Sequence, residues 1–368
     1  MCMRDMRNFL NCRDSEMSDP VHQLADAIRA AADAKRPLRI RGGGSKDFYG
    51  NAPTGDLLDV SGYSGIIEYE PTELVITARA GTPLAEIETV MHKQGQMLGF
   101  EPPHFSGGAT IGGCIAAGLS GPRRPYAGSA RDFVLGMRML DGHGTDLAFG
   151  GQVMKNVAGY DVSRLITGSL GTLGVILEVS LKTLPLPPVE LTLCREQTPA
   201  EAITLMNAWA GKPLPITATC HLDNKLYVRL SGAATAVKAA AGKLGGAELS
   251  DSADFWRSIR DQQHTYFAGA MPLWRLSLQS TTPAWDLPGA QLIEWGGALR
   301  WLRSDIDAMT IRKTARSGDG HATRFRGNDA RSGAFHPLPE ALMRLHRRVK
   351  QSMDPAGILN PGRLYENL

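Results

Sequence analysis

The sequence has few cysteines, no long apolar run and little excess of either charge. Its 368 residues include five cysteines and no CxxC pair, which argues against zinc, iron–sulfur and disulfide sites and favours a reducing compartment. Lys and Arg (40) nearly balance Asp and Glu (37), so no surface for nucleic acid or an anionic membrane is indicated. No run approaches about 18 apolar residues, and the N-terminus lacks an apolar signal core. We expect a cytoplasmic protein with no transmembrane segment and no nucleic-acid partner.

Hydrophobic periodicity divides the chain into parts. Residues 1–18 lack it, and we expect a disordered extension there. Residues 19–185 alternate helical and strand patterns and end in a proline cluster, which predicts a first domain. From 189 to 305 the order strand, helix, two strands, helix, strand predicts a smaller ferredoxin-like layer. The remaining residues, 306–368, include an amphipathic helical pattern over 340–354.

Three glycine-rich segments follow or precede short predicted strands. They are 41-RGGGS-45, 106-SGGATIGGCIAAGLSG-121 and 168-GSLGTLG-174. Glycine lets backbone N–H groups approach phosphate oxygens closely. The sequence contains no GxxxxGK[ST], and no GxGxxG opens a helix after the first strand with an acidic residue at the expected distance, which argues against P-loop and Rossmann proteins. Together the three segments favour a long ligand, such as a dinucleotide, held at several points.

Longer stretches resemble a known flavoprotein superfamily, that of vanillyl-alcohol oxidase and para-cresol methylhydroxylase (PCMH). The stretches are 38-LRIRGGGS-45, 110-TIGGCIAAGLSGP-122, 155-KNVAGYDVSRLITGSLGTLGVILEVSLK-182 and 353-MDPAGILNPGR-363. Within it, the segments 101-EPPHFSGGATIGGCIAAGLSGPRRPYAGSARDFVLG-136, 294-EWGGALRWL-302 and 320-GHATRF-325 are similar to the smaller FAD-binding subunit of bacterial glycolate oxidase. The resemblance covers nearly the whole chain from about Asp19.

The resemblance implies an α+β fold and an FAD cofactor. It implies a two-part FAD-binding domain of the vanillyl-alcohol oxidase / PCMH type, to which the segment 306–368 returns, and a smaller ferredoxin-like α+β cap. Covalent flavin attachment needs a nucleophilic His, Cys or Tyr against the ring. The first glycine loop has no His, and Cys114 is more consistent with a small buried thiol. We therefore expect non-covalent FAD.

The resemblance also implies which residues contact the cofactor. Backbone amides of one segment would hold the pyrophosphate: Arg41, Gly42, Gly43, Gly44 and Ser45. A second set would line the path toward the isoalloxazine: Pro103, Ala109, Thr110, Gly112, Gly113 and Gly118, with Ser129 and Asp132 nearby. Gly174, Val175 and Ile176 would meet the adenine end through backbone groups.

Oxidation of glycolate to glyoxylate is the activity that the resemblance implies. It requires a base for the hydroxyl proton and a cation for the carboxylate, besides hydride transfer to the flavin. The candidates are His104, Lys155, His321, Arg324 and the pair Arg123–Arg124, and for each a packing or surface role is the alternative. Relatives that oxidise D-2-hydroxy acids carry GHxGDGNxH at a metal-assisted site. Here 317-SGDGHATRF-325 keeps the glycines and one histidine, so we expect no metal.

We expect a subunit of a glycolate oxidase complex that acts on a small 2-hydroxy acid. Its implied partners are a larger FAD subunit and an iron–sulfur subunit, through which it could associate with a membrane. The scattered cysteines fit an electron acceptor on another chain. Three alternatives stay open: a non-catalytic FAD electron-relay or scaffold subunit, a stand-alone D-2-hydroxyacid (D-lactate) dehydrogenase, and a pyridine-nucleotide-dependent reductase on the same fold.

Overall fold

The computed structural model describes residues 19–105, 107–151, 160–327 and 332–368. The expected extension at 1–18 and the candidate Lys155 lie outside the described residues. The first part of the chain forms, in order, α1 (Pro20–Asp33), β1 (Leu38–Arg41), β2 (Asp56–Asp59), β3 (Ile66–Glu70), β4 (Val75–Arg79), α2 (Leu84–Lys93), β5 (Gln96–Met97), α3 (Ile111–Ala117), α4 (Arg124–Ala127), α5 (Ala130–Phe133), β6 (Val134–Leu140), β7 (Asp146–Gly150), α6 (Val162–Ile166), β8 (Val175–Lys182) and β9 (Leu184–Pro185).

The rest of the chain forms a second set of elements. They are β10 (Val189–Glu196), α7 (Pro199–Ala210), β11 (Ile216–Leu222), β12 (Lys225–Gly232), α8 (Ala234–Leu244), β13 (Ala247–Glu248), α9 (Ser252–Arg260), β14 (Leu273–Ser277), β15 (Ala290–Glu294), β16 (Leu299–Arg303), α10 (Ala308–Ser317), β17 (His321–Arg326) and α11 (Glu340–Met353).

Two sheets, besides the short pair β5-β9, organise the first part of the chain. β1 and β2 pair in parallel, and α1 packs on them through an apolar stripe that includes Ala25 and Ile28. Asp19 starts α1 by accepting a hydrogen bond from the Val21 amide at 3.0 Å. The second sheet is antiparallel, in the order β3-β4-β8-β6-β7, and α2 and α3 bury their apolar faces against it. This arrangement leaves the end of β1 beside the start of α3.

An eight-stranded antiparallel sheet forms the second part, in the order β13-β10-β12-β11-β15-β16-β14-β17. Its first four strands, with α7 and α8, have the βαββαβ order and the strand neighbours of a ferredoxin-like layer. A capping box between Thr198 and Glu201 begins α7. The sheet continues past the domain boundary expected at residue 305, because β17 pairs with β14 and α10 packs on the same strands.

The chain after α11 returns to β1. The Leu38 amide donates to the carbonyl oxygen of Ile358 at 2.7 Å, and the Ile40 amide donates to Oδ1 of Asn360 at 2.8 Å. Buried Lys350 on α11 donates to the carboxylate of Asp354 and to two backbone carbonyls. The last part of the chain therefore lies against the strand that leads into the first glycine segment.

Candidate functional site

A cleft of about 490 Å³ opens at the end of β1. We call it the amide cleft, because the segment Arg41–Asp47 forms one wall, with Thr110, Gly113, Asn360 and Arg363 around it. The N–H groups of residues 42–46 donate to no acceptor in the described part of the chain, whereas the Asp47 amide closes a turn by donating to the carbonyl oxygen of Gly44 at 3.1 Å. Five consecutive unpaired amides in a cleft are suited to binding an anion.

Protein packing also requires glycine in this segment. A Cβ on Gly42 would lie 2.5 Å from Oγ1 of Thr110, and a Cβ on Gly43 would overlap the carbonyl oxygen of Gly108. Gly44 has φ of +73°, a conformation that favours glycine. The first glycine segment thus packs directly on the segment before α3. Its glycines permit this close contact and also leave the backbone amides accessible.

The structure gathers only part of the expected cofactor set at the amide cleft. Arg41–Ser45, Thr110 and Gly113 line it. The others lie elsewhere. Pro103 lines a second cavity, and Ala109 is buried and accepts a backbone hydrogen bond from Leu84. Gly112 packs on Ala80 and Gly118 on Gly168, whereas Ser129 and Asp132 form a capping box for α5. Gly174, Val175 and Ile176 lie at the start of β8, opposite Met139 and Leu140.

Lys46 is a residue of the amide cleft that the sequence analysis missed. Its side chain is buried, with 8% exposure, and its ammonium lies 5.5 Å from the centre of the Phe105 ring. Burial lowers the pKa of Lys46, and the nearby Cys114 and Asp261 only partly offset this effect. The sequence signal for this residue was a lysine directly after a glycine loop. That its side chain points into the cleft depends on the surrounding fold, which the sequence pattern does not show.

A second cavity, partly open to solvent, lies between the segment 103–122 and the eight-stranded sheet. We call it the interface cavity. Aromatic side chains of both parts enclose it, among them Phe105, Trp301 and Phe325. The sheet contributes the charged side chains of Arg275 on β14 and Glu294 on β15. Both lie on the face of the sheet that packs against the first part of the chain.

Arg275 and Glu294 are both short of partners. The Glu294 side chain accepts one hydrogen bond, from Nε1 of Trp301 at 2.8 Å. Burial raises the pKa of Glu294 to about 7, and the Trp301 hydrogen bond and the charge of Arg275 only partly offset it. The Arg275 guanidinium lies 5.1 Å from the centre of the Trp295 ring and forms no ion pair with a described residue. A guanidinium without an ion-pair partner among the described residues and a carboxyl group with one hydrogen bond therefore line the same cavity.

The candidate catalytic residues from the sequence are not brought together. His104 Nε2 lies 2.9 Å from a carboxylate oxygen of Glu88, beside α2. His321 begins β17 and pairs across the strands with Ser277, which is two residues along β14 from Arg275. Arg324 lies on the opposite face of the sheet, with its guanidinium 4.9 Å from the Trp274 ring. In the described ranges no three His, Cys, Asp or Glu side chains are grouped so that they could hold a metal ion.

Arg123 is not the exposed loop residue that the sequence left open as an alternative. It is 7% exposed and pairs with Glu101 at 3.2 Å and with Glu190 at 2.9 Å. Arg229 on β12 donates to the same Glu101 carboxylate at 2.7 Å. This buried network joins the segment that carries Pro103 and Phe105 to the eight-stranded sheet, and so fixes the walls of the interface cavity. Its neighbour Arg124 stacks on Trp295 at 4.4 Å.

Comparisons with known proteins show which family the chain resembles. The FAD binding domain family matches residues 19–150. The glycolate oxidase subunit GlcE of Escherichia coli is 51% identical over 94% of this chain and 97% of its own length. The glycolate oxidase subunit GlcD of Bacillus subtilis is 31% identical over 53% of this chain and 42% of its own length.

The fold is also found among solved structures. An alkyldihydroxyacetonephosphate synthase structure matches with a TM-score of 0.65 and 16% identity, over 92% of this chain and 74% of that one. In the part of the chain that the structure describes, no helix is long and apolar enough to span a membrane. The expected fold class and the FAD cofactor are confirmed by these matches. The chain belongs to the family of the glycolate oxidase subunit GlcE, flavoproteins with an FAD-binding domain of the vanillyl-alcohol oxidase / PCMH type.

Proposed function

We propose that this chain oxidises glycolate, or a closely similar 2-hydroxy acid, to the 2-oxo acid as the FAD-binding subunit of a complex. The observation that carries the proposal is the interface cavity, where an unpaired guanidinium lies near a buried carboxyl group. A 2-hydroxy acid needs both, since its carboxylate must be bound and its hydroxyl proton must be removed. The 51% identity to a protein named as a glycolate oxidase subunit supports the substrate class.

The amide cleft suits the diphosphate of FAD. Its row of amides, at residues 42–46, offers donors for phosphate oxygens without a metal ion. Bound FAD would supply the redox chemistry by accepting a hydride. We also propose that the cofactor is held non-covalently: burial raises the pKa of the Cys114 thiol to about 11, so this side chain stays protonated and is a poor nucleophile.

The chain's own residues would bind the substrate and move its proton. In the proposed mechanism the Arg275 guanidinium binds the substrate carboxylate, which gives it the anionic partner that it lacks. The Glu294 carboxylate accepts the hydroxyl proton, and a pKa of about 7 fits that task near neutral pH. Trp301 orients Glu294 through its hydrogen bond, and aromatic side chains form the walls around the two groups.

In the proposed mechanism the electrons then leave through other chains. Oxidation of one alcohol carbon releases two electrons, and the cysteines described here include no cluster-binding group. We therefore propose that the larger FAD subunit and an iron–sulfur subunit are partners and that the complex works in the cytoplasm. GlcE and GlcD are both named as glycolate oxidase subunits, which is consistent with a shared assembly.

Anaerobic titration tests the proposal. The FAD-loaded chain, alone and with its partner subunits, is mixed with glycolate while flavin absorbance is recorded. We expect bleaching in the wild type, and in Arg275→Met a glycolate requirement at least tenfold higher. Arg131→Met, at an exposed position of α5, is the control and should behave as the wild type. Equal bleaching of Arg275→Met and the wild type would contradict the role of Arg275.

A second candidate is an FAD electron-relay subunit that oxidises no substrate. The observation that favours it is the placement of the GDGH segment: His321 and Arg324 lie on opposite faces of the sheet, and among the described residues no metal-binding cluster surrounds them. The same titration separates the two functions. A relay subunit on its own would show no bleaching by glycolate, and its flavin would be reduced only when a reduced partner subunit is present.

A further inference from the structure

Two lysines of the described chain are almost fully buried, and only one has a counter-charge. Lys350, 7% exposed, donates to Oδ2 of Asp354 at 2.6 Å and to the carbonyl oxygens of Thr172 and Leu359. Lys46, 8% exposed, donates only to Oγ of Ser45, at 3.2 Å. No carboxylate of a described residue is within ion-pair distance of Lys46. The charge of Lys350 is therefore matched inside the protein, and that of Lys46 is not.

An unmatched buried ammonium is costly, since it has lost water and gained no anion. Asp261 attracts Lys46 only from a distance, and Cys114 is a protonated thiol because of its raised pKa. Such a group gains most from an anion that enters from outside. In the same cleft, the unpaired amides of residues 42–46 provide directional donors for the same kind of ligand.

We propose that Lys46 supplies the counter-charge for the diphosphate of FAD, while the amides of residues 42–46 fix the positions of its oxygens. The proposal rests on FAD as the cofactor of this chain and adds a specific ionic contact to it. Phe105 lies against the Lys46 ammonium and also lines the interface cavity. Lys46 is thus close to the junction of the two cavities, and contact with the flavin ring is the alternative that the test must separate.

Ligands with and without phosphate distinguish the two contacts. The full-length apo-protein is titrated with FAD and with riboflavin, and flavin fluorescence gives the dissociation constants. We expect Lys46→Met to weaken FAD binding at least tenfold, Lys46→Arg to restore most of it, and riboflavin binding to stay unchanged in both variants. Lys93→Met, at an exposed position of α2, is the matched control and should bind both ligands as the wild type does.

Thermal unfolding of the apo-protein separates a binding role from a structural one. Lys46→Met should melt at the same temperature as the wild type or higher, because a desolvated charge is removed. Addition of FAD should raise the melting temperature of the wild type more than that of the variant. A lower melting temperature of the apo variant would indicate a structural role and overturn the proposal.

Three binding results would also overturn it. Unchanged FAD affinity in Lys46→Met would show that Lys46 does not meet the cofactor. An equal loss of FAD and riboflavin affinity would place Lys46 at the ring system. If the wild type itself binds no FAD, the cofactor assignment fails together with this inference, whereas the first two results refute the inference alone.

Discussion

Replacing Glu101 with Gln should destabilise the contact between the segment 101–123 and the eight-stranded sheet by about 3 kcal/mol. The Glu101 carboxylate receives hydrogen bonds from the Arg123 amide at 2.9 Å, from Nε of Arg123 at 3.2 Å and from Nη2 of Arg229 at 2.7 Å. Its side chain is 15% exposed, and those of Arg123 and Arg229 are 8% and 4% exposed. Removing one partner of such a buried pair costs about 3–5 kcal/mol.

The lower end of that range applies because part of the network survives. Glu190 still pairs with Arg123 at 2.9 Å, and the amide oxygen of the new Gln can accept one hydrogen bond. Urea unfolding followed by tryptophan fluorescence measures the loss, since Trp256 lies 5.1 Å from the Arg229 guanidinium. Glu86→Gln, on the exposed side of α2, is the control and should shift the free energy of unfolding by less than about 0.5 kcal/mol.

The pH dependence gives the same prediction a second check. Burial alone would raise the pKa of Glu101, but Arg229 and Arg123 outweigh it and hold the pKa below its ordinary value. The stabilisation is therefore complete above the pKa of an unfolded glutamate and is lost as the pH falls through the lower folded pKa. The difference between wild type and Glu101→Gln should shrink below about pH 4. A loss under about 1 kcal/mol at pH 7, or one that does not change with acidification, would refute the reasoning.

Three further changes test other parts of the structure. Gly43→Ala should displace Gly108 and lower the FAD content of purified protein severalfold, whereas Gly107→Ala, which meets open space, should not. Lys350→Met should reduce the free energy of unfolding by about 3 kcal/mol, measured by urea unfolding, because it leaves the buried Asp354 carboxylate without its counter-charge; equal stability would contradict this. Flavin reduction by glycolate in the wild type should rise as the pH passes about 7, where Glu294 loses its proton, and stopped-flow rates of Glu294→Gln should be at least tenfold lower and flat across that range.

Regular elements were predictable where local signals agree. The capping box and proline at the start of α7 and the alternating strands around it fall where the periodicity placed them. The sequence patterns did not predict α10 and β17. The glycines of 317-SGDG-320 suggested an irregular motif there, and β17 is defined by its pairing with β14. Pairing between distant strands is a tertiary property that local patterns do not encode.

The site was less predictable than the fold. The amide cleft could be anticipated from glycines at the end of a strand, since that pattern has a local cause. Arg275 and Glu294 could not be paired from the sequence, because β16 lies between their strands and their shared cavity depends on the order β15-β16-β14. For both Arg275 and Glu294, the sequence signal that could have been used was a charged residue at a buried-face position of an apolar strand.

The order in which the chain leaves the ribosome limits when the cofactor site can form. Arg363 donates to the backbone oxygens of Asp47, Lys46 and Asn51, and Asn360 bonds to β1, so the loop that bears the free amides is held by residues made more than 300 positions later. β1 and its glycines are made early, but their loop lacks these contacts until the last part of the chain packs against it. The strands of the eight-stranded sheet precede that part and can pair before it. The cleft that would hold the cofactor is therefore complete only after the segment that carries Asn360 and Arg363 has been made and has packed against β1.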